Sequence, residues 1–169
     1  MRTTAGQLCL AVSFFIYPMP KININTRINR IGRSEAVRIC NMVMRWCRRH
    51  LGINKRRKYQ PVWTIRRGPI EHLVGEYDAE NNEILIYWDQ CENVEEIINT
   101  TIHEWTHQLQ PILTKYAKHT NYQTNPYEIE ARKNEALFTI PCWNTIKHKV
   151  NKNGSSNSKV KRRRGRTNE

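Results

Sequence analysis

Five residues near the middle of the chain, His103-Glu104-Trp105-Thr106-His107, combine two imidazoles and a carboxylate at a spacing suited to metal chemistry. On a helix, positions i and i+4 share a face one turn apart, so both imidazoles reach one ion while Glu104 points to the adjoining side. Such a pair suits zinc, whose catalytic sites take three protein ligands and leave a fourth position for water. Bound zinc brings the pKa of its water from about 15.7 toward 7. Glu104 then takes the proton and delivers it to a leaving amine, so the expected reaction is peptide-bond hydrolysis.

The third ligand sets the subclass. A longer metal motif with Gly at 110 and His at 113 is excluded, because Gln110 and Leu113 stand there. His119 would complete a three-histidine site, and Glu128 and Glu130 are the other candidates. Glu128 falls in the first turn of an expected helix, where unpaired backbone N–H groups hold a carboxylate ionised and oriented. Glu130 faces roughly the opposite side, so only one of the two glutamates can look at the histidines. Glu128 is the preferred ligand; its competing role is completion of a helix cap.

The elements that must carry these residues have their own signals. Asn93-Val94-Glu95-Glu96 is a capping box and predicts a helix from about Val94 to Gln110, stopped by Pro111. A second box, Asn125-Pro126-Tyr127-Glu128, has Pro at the first helical position and opens a helix running toward Ile140 before Pro141. Leu73 to Tyr77 and Glu83 to Trp88 flank the turn-rich Asp78-Ala79-Glu80-Asn81-Asn82 and predict an antiparallel hairpin, with Ile84, Ile86 and Trp88 on one face. Val62-Trp63-Thr64-Ile65 is a further short strand. Ser34 and Glu35, followed by Val37, Cys40, Met44, Cys47 and Leu51, predict an amphipathic helix ending near Gly52, with both cysteines as small core residues.

This pattern resembles the Glu-zincins (gluzincins), whose second helix supplies a ligand glutamate in the pattern Glu-x-x-Ala/Ser, met here by Glu128-Ile129-Glu130-Ala131. It is similar further to ImmA/IrrE-like zinc peptidases, in which a Pro ends that helix at the position of Pro141. The resemblance spans about Asn93 to Pro141. It implies an α+β, zincin-like domain with an N-terminal helix, a short antiparallel sheet, an HExxH helix and a second ligand-bearing helix. It also implies Zn2+ on His103, His107 and Glu128, with Glu104 catalytic. The chain departs from the family after Ala131: the usual Asn or Asp that orients a ligand histidine is replaced by Arg132, and Asn134 is a candidate substitute. A transition-state hydrogen-bond donor is expected among Tyr116, Tyr122, Tyr127, Arg132 and His148. The strand Glu83 to Trp88 is implied as the sheet edge beside the cleft, to which an extended peptide adds.

Composition bounds these readings. At 169 residues, with 38% apolar and 25% charged residues and only 7 Gly and 7 Pro, the chain has room for one folded domain and is neither collagen-like nor disordered throughout. The expected organisation is an apolar segment over 1–20 (a buried strand, an extension, or a signal or anchor), a zincin-like metallopeptidase domain over 21–150 and a disordered basic tail over 151–169. Lys and Arg outnumber Asp and Glu by 28 to 15, which suits an anionic partner. The tail, Lys159-Val160-Lys161-Arg162-Arg163-Arg164-Gly165-Arg166, lacks stacking aromatics and reads as a binder of nucleic-acid phosphates without sequence preference, as a nuclear localisation run, or as a solvated tail with no partner. Arg45, Arg48, Arg49 and Lys55 to Lys58 form a second basic cluster. Five cysteines without a C-x-x-C pair argue for a reducing, intracellular compartment, cytoplasmic or nuclear. Leu8 to Tyr17 has the length of a secretory h-region, which keeps secretion open, but it is too short to span a bilayer. The rival function is a non-catalytic nucleic-acid or protein-binding module whose zinc is structural or absent.

Overall fold

Glu35 starts the first helix by turning its carboxylate back onto the Gly32 backbone N–H, at 3.2 Å. This helix, α1 (Arg33–His50), buries Ala36, Ile39, Cys40, Val43, Met44, Trp46 and Cys47 along one face, as the three- and four-residue spacing requires. Arg48, Arg49 and His50 complement the negative end of its dipole. Gly52, at a φ of 81°, turns the chain out of the helix. The structure, a computed structural model, describes residues 21–69, 72–111 and 121–152. The apolar N-terminal run, the basic tail, Tyr116 and His119 lie outside the described residues.

Three short strands follow: β1 (Val62–Arg66), β2 (Gly75–Asp78) and β3 (Glu83–Tyr87). β2 and β3 form the expected antiparallel hairpin, with Tyr77 opposite Ile84 and Gly75 opposite Ile86. Asp78 closes its turn by accepting the N–H groups of Glu80 and Asn81, and Asn82 takes up a left-handed φ of 52°. Trp88 falls beyond β3, in a 3-10 turn.

Two expectations about the sheet are corrected. It is mixed, not antiparallel, because β1 pairs with β3 in parallel. The order β1-β3-β2 puts β3 in the middle, so Glu83 to Trp88 is not the sheet edge; β2 is. The physical reason is hydrophobic. Ile84-Leu85-Ile86-Tyr87 is apolar on both faces and fully buried, a pattern that belongs to a central strand.

Two helices complete the α+β domain. α2 (Val94–Leu109) starts under the Asn93 side chain, which accepts the Glu96 N–H at 3.0 Å. Two further first-turn N–H groups, on Val94 and Glu95, are satisfied by the carbonyls of Thr26 and Ile24. At the other end, Asn54 Nδ2 donates to the carbonyls of Leu109 and Gln110. α3 (Pro126–Lys152) has Pro126 at its first position, as expected, and Asn125 caps it through the Tyr127 N–H at 3.0 Å.

Pro141 does not end α3, contrary to expectation; the helix continues to Lys152. Proline removes one backbone bond, worth about 3 kcal/mol in a helix interior. Beyond it, Cys142, Trp143, Ile146 and Val150 recur at helical spacing and enter the common core. Arg38 of α1 also donates to the carbonyls of Lys149 and Val150, at 3.1 and 2.8 Å, and Trp46 Nε1 meets Thr145 Oγ1 at 3.3 Å. Packing on α1 therefore outweighs the lost bond. Among the described residues no helix is long and apolar enough to cross a membrane.

Candidate metal centre

α2 and α3 lie side by side, and polar pairs fix their relative position. Asn134 Nδ2 donates to Thr106 Oγ1 at 3.2 Å, and the Thr139 hydroxyl donates to Asn99. This pairing sets the first turn of α3 against the last turns of α2, which carry His103 and His107. The Glu128 carboxylate, free of the cap that Asn125 completes alone, bridges them. Its Oε2 lies 3.2 Å from His103 Nε2 and its Oε1 lies 3.5 Å from His107 Nε2. These three residues form a group whose ligand atoms all lie within 4.8 Å of one another, so they could hold a metal ion.

The tautomers of both rings follow from the partners of Nδ1. His103 Nδ1 faces the Glu135 carboxylate and His107 Nδ1 lies 2.8 Å from Gln110 Oε1. Gln110 is held in that orientation because its Nε2 donates to the Tyr127 carbonyl and to Glu130 Oε2, at 3.0 and 2.9 Å. A carboxylate and an amide oxygen only accept, so both Nδ1 atoms carry hydrogen. In neutral rings both Nε2 lone pairs then point at the Glu128 carboxylate. Lone pairs and an anion repel unless a cation stands among them. Glu128 Oε2 is also buried without a hydrogen-bond partner, which a metal ligand explains.

Electrostatics agree with a site shaped for positive charge. Burial pushes the Glu104 carboxyl up to about 7, and the neighbouring Glu128, Glu135 and Glu76 add to the rise against the opposing effect of His103. Burial alone would lower His103, but the hydrogen bond to Glu135 and the carboxylates around the ring raise it. His107 is lowered, chiefly by burial. Glu104 is placed by close packing: a Cβ on Gly75 would stand 2.6 Å from Thr100 Cγ2 and 3.2 Å from Glu104 Cγ, so only glycine lets β2 approach α2 here.

The expected site residues are thus brought together in one place, with Glu104 and the His103-His107-Glu128 group lining a single cavity of about 960 Å3. Glu130 does not join the group; it holds Gln110. Asn134 does not orient a histidine, and Glu135, one residue further, does. Glu135 and Gln110 escaped sequence reasoning. The available signal was spacing, since Glu135 falls two turns after Glu128 on the same face of α3. Tyr122 and Tyr127 line the cavity, whereas His148 is exposed on the last turns of α3 and does not. Arg132 stacks its guanidinium 5.1 Å from the Tyr122 ring centre. Cys40, Cys47, Cys91 and Cys142 are buried free thiols of the core, and burial pushes Cys91 and Cys142 up to about 12. No family model, curated protein or solved structure matches the chain.

Proposed function

We propose that the protein is a zinc-dependent metallopeptidase of the HExxH Glu-zincin type. The observation that carries this reading is the convergence of two Nε2 lone pairs and the Glu128 carboxylate beside Glu104 in an open cavity. Two imidazole nitrogens and one carboxylate are a catalytic zinc donor set. One ligand atom from each of the three residues lies within 4.8 Å of the others, close enough for a single ion to be held by all three. Glu104 lines the same cavity without belonging to the ligand group, as a general base beside a catalytic metal would.

When bound, zinc supplies Lewis acidity toward water and the scissile carbonyl. The protein's own residues do the rest. Glu104, raised toward neutral pH, accepts a proton from the attacking water and passes it to the leaving nitrogen. Tyr122, raised by burial and by Glu128, keeps its hydroxyl hydrogen beside that carboxylate and is the donor for a developing oxyanion in this reading. The edge of β2, unpaired among the described residues, aligns an extended peptide with Glu104 through backbone hydrogen bonds. Tyr122→Phe tests the donor role: kcat should fall about 10- to 100-fold with zinc content unchanged. An unaltered kcat rejects it.

A further inference from the structure

The cavity in front of His103 and His107 carries charge opposite to that of the whole protein. The chain bears +13, yet no Lys or Arg occurs between Arg67 and Lys115, a stretch that holds ten carboxylates. Folding gathers Glu76, Glu80, Glu96, Glu104, Glu128 and Glu135 around the cavity, against the single guanidinium of Arg57 on its described lining. Arg57 is itself engaged, donating to the Ala79 carbonyl at 2.6 Å.

Local structure accounts for part of this cluster. Glu96 accepts the Glu92 N–H ahead of α2, Glu135 holds His103, and Glu128 belongs to the metal group. Glu76, on the edge strand β2, accepts the Tyr87 hydroxyl near Arg66, whereas Glu80, on the turn that follows, has no side-chain partner among the described residues. A second observation points to a ligand. Glu104 is only 7% exposed, lines the cavity and makes no side-chain hydrogen bond among the described residues, so its carboxylate is held ready for a group that enters the cavity. A metal ion offsets part of the negative charge, and Glu80 stays open at the β2 end of the cavity.

We propose that the substrate is an extended peptide segment carrying Lys or Arg on the side of the scissile bond that runs along β2 toward Glu80. This rests on the metallopeptidase reading and names its substrate class. Side chains on one face of an extended peptide recur about every 6–7 Å, so a strand added to β2 offers successive basic groups to Glu76 and then Glu80. A cleft of one sign concentrates ligands of the other and repels acidic segments. The exposed Arg45, Arg48, Arg49, Lys55, Arg56 and Lys58 repel the same peptide elsewhere, which leaves the cleft as its attractive locus.

The test uses the full-length protein and three unstructured 12-residue peptides that are identical except for Lys, Gln or Glu at four alternate positions. Fluorescence anisotropy gives Kd on Glu104→Gln protein, and kcat/KM is measured on zinc-loaded wild type. The Lys peptide should bind about tenfold tighter than the Gln peptide at low salt, with the advantage collapsing near 0.5 M NaCl. Adding Glu76→Gln and Glu80→Gln together, with the melting temperature checked, should cut the Lys-over-Gln ratio to about threefold or less. Equal Kd for all three peptides, or a ratio untouched by the added substitutions, overturns the proposal. The two readings fail separately: binding of the Lys peptide without cleavage contradicts the peptidase alone, and equal binding and cleavage of all three contradicts the preference alone.

Discussion

Nε2 of His103 lies 3.2 Å from Oε2 of Glu128, across the boundary between α2 and α3. The two residues come from separate helices and share no cap, so their approach exists only in the folded chain. Metal binding by this group would therefore be linked to folding. His103→Ala and His107→Ala should each abolish zinc binding, and Glu128→Ala should remove most of it. Glu130→Ala, whose carboxylate accepts from Gln110 and is not part of the ligand group, should retain close to one zinc per chain. Elemental analysis of the four purified variants decides. Zinc retained in the Glu128 variant and lost from the Glu130 variant would reverse the ligand assignment.

Glu135 is a positioning residue for His103. Removing such a partner of a ligand histidine typically costs 10- to 100-fold in metal affinity. Glu135→Gln, which can still accept from Nδ1 but without charge, should weaken zinc binding about tenfold, and Glu135→Ala more than that. Competition with a chelator of known affinity measures both. Wild-type affinity in the Ala variant would mean that packing alone orients the ring.

The raised carboxyl of Glu104 makes metal-free protein sensitive to pH. It stands at about 7 in the fold against the ordinary 4.5 of a glutamate, so between these pH values the folded state holds a proton that the unfolded chain has released. Stability from this group therefore falls as pH rises from about 4.5 to 7. Raised His103 acts in the same direction and lowered His107 in the opposite one. Glu104→Gln isolates the first contribution. Urea unfolding of metal-free protein at pH 5 and pH 8 should show wild type losing about 2–3 kcal/mol more than the variant. Parallel losses would contradict the buried, unpaired placement of Glu104.

Pro141 sits on the exposed side of α3, with helix on both sides of it. Pro141→Ala restores a donor for the Leu137 carbonyl without touching the core. The melting temperature should rise, by the equivalent of about 1–3 kcal/mol. A lower melting temperature would show that the proline shapes the contact with α1.

Much of this arrangement was legible in the residues, and where it was not the reason is physical. Asn93 and Asn125 announced the starts of α2 and α3, because caps are local and depend on neighbours in sequence. The histidine pair and Glu128 were readable from helical spacing. The end of α3 was misjudged because Pro141 is a local signal, overridden by Arg38 and Trp46, which come from a helix more than ninety residues away. The sheet order was misjudged because hairpin signals fix neighbours and not which strand is central; the unbroken apolar run of β3 was the available clue. Glu135 and Gln110 were invisible for a similar reason. Their role appears only when the second helix is laid against the first.

Zinc content and peptidase turnover, measured together on full-length wild type and Glu104→Gln, test the central claim most directly. Glu104 is not a ligand of the group formed by His103, His107 and Glu128, so both proteins should carry about one zinc per chain. Only wild type should hydrolyse an extended peptide, with the variant at least about 100-fold slower. Absence of zinc from wild type, or equal turnover by the zinc-loaded variant, would contradict the account.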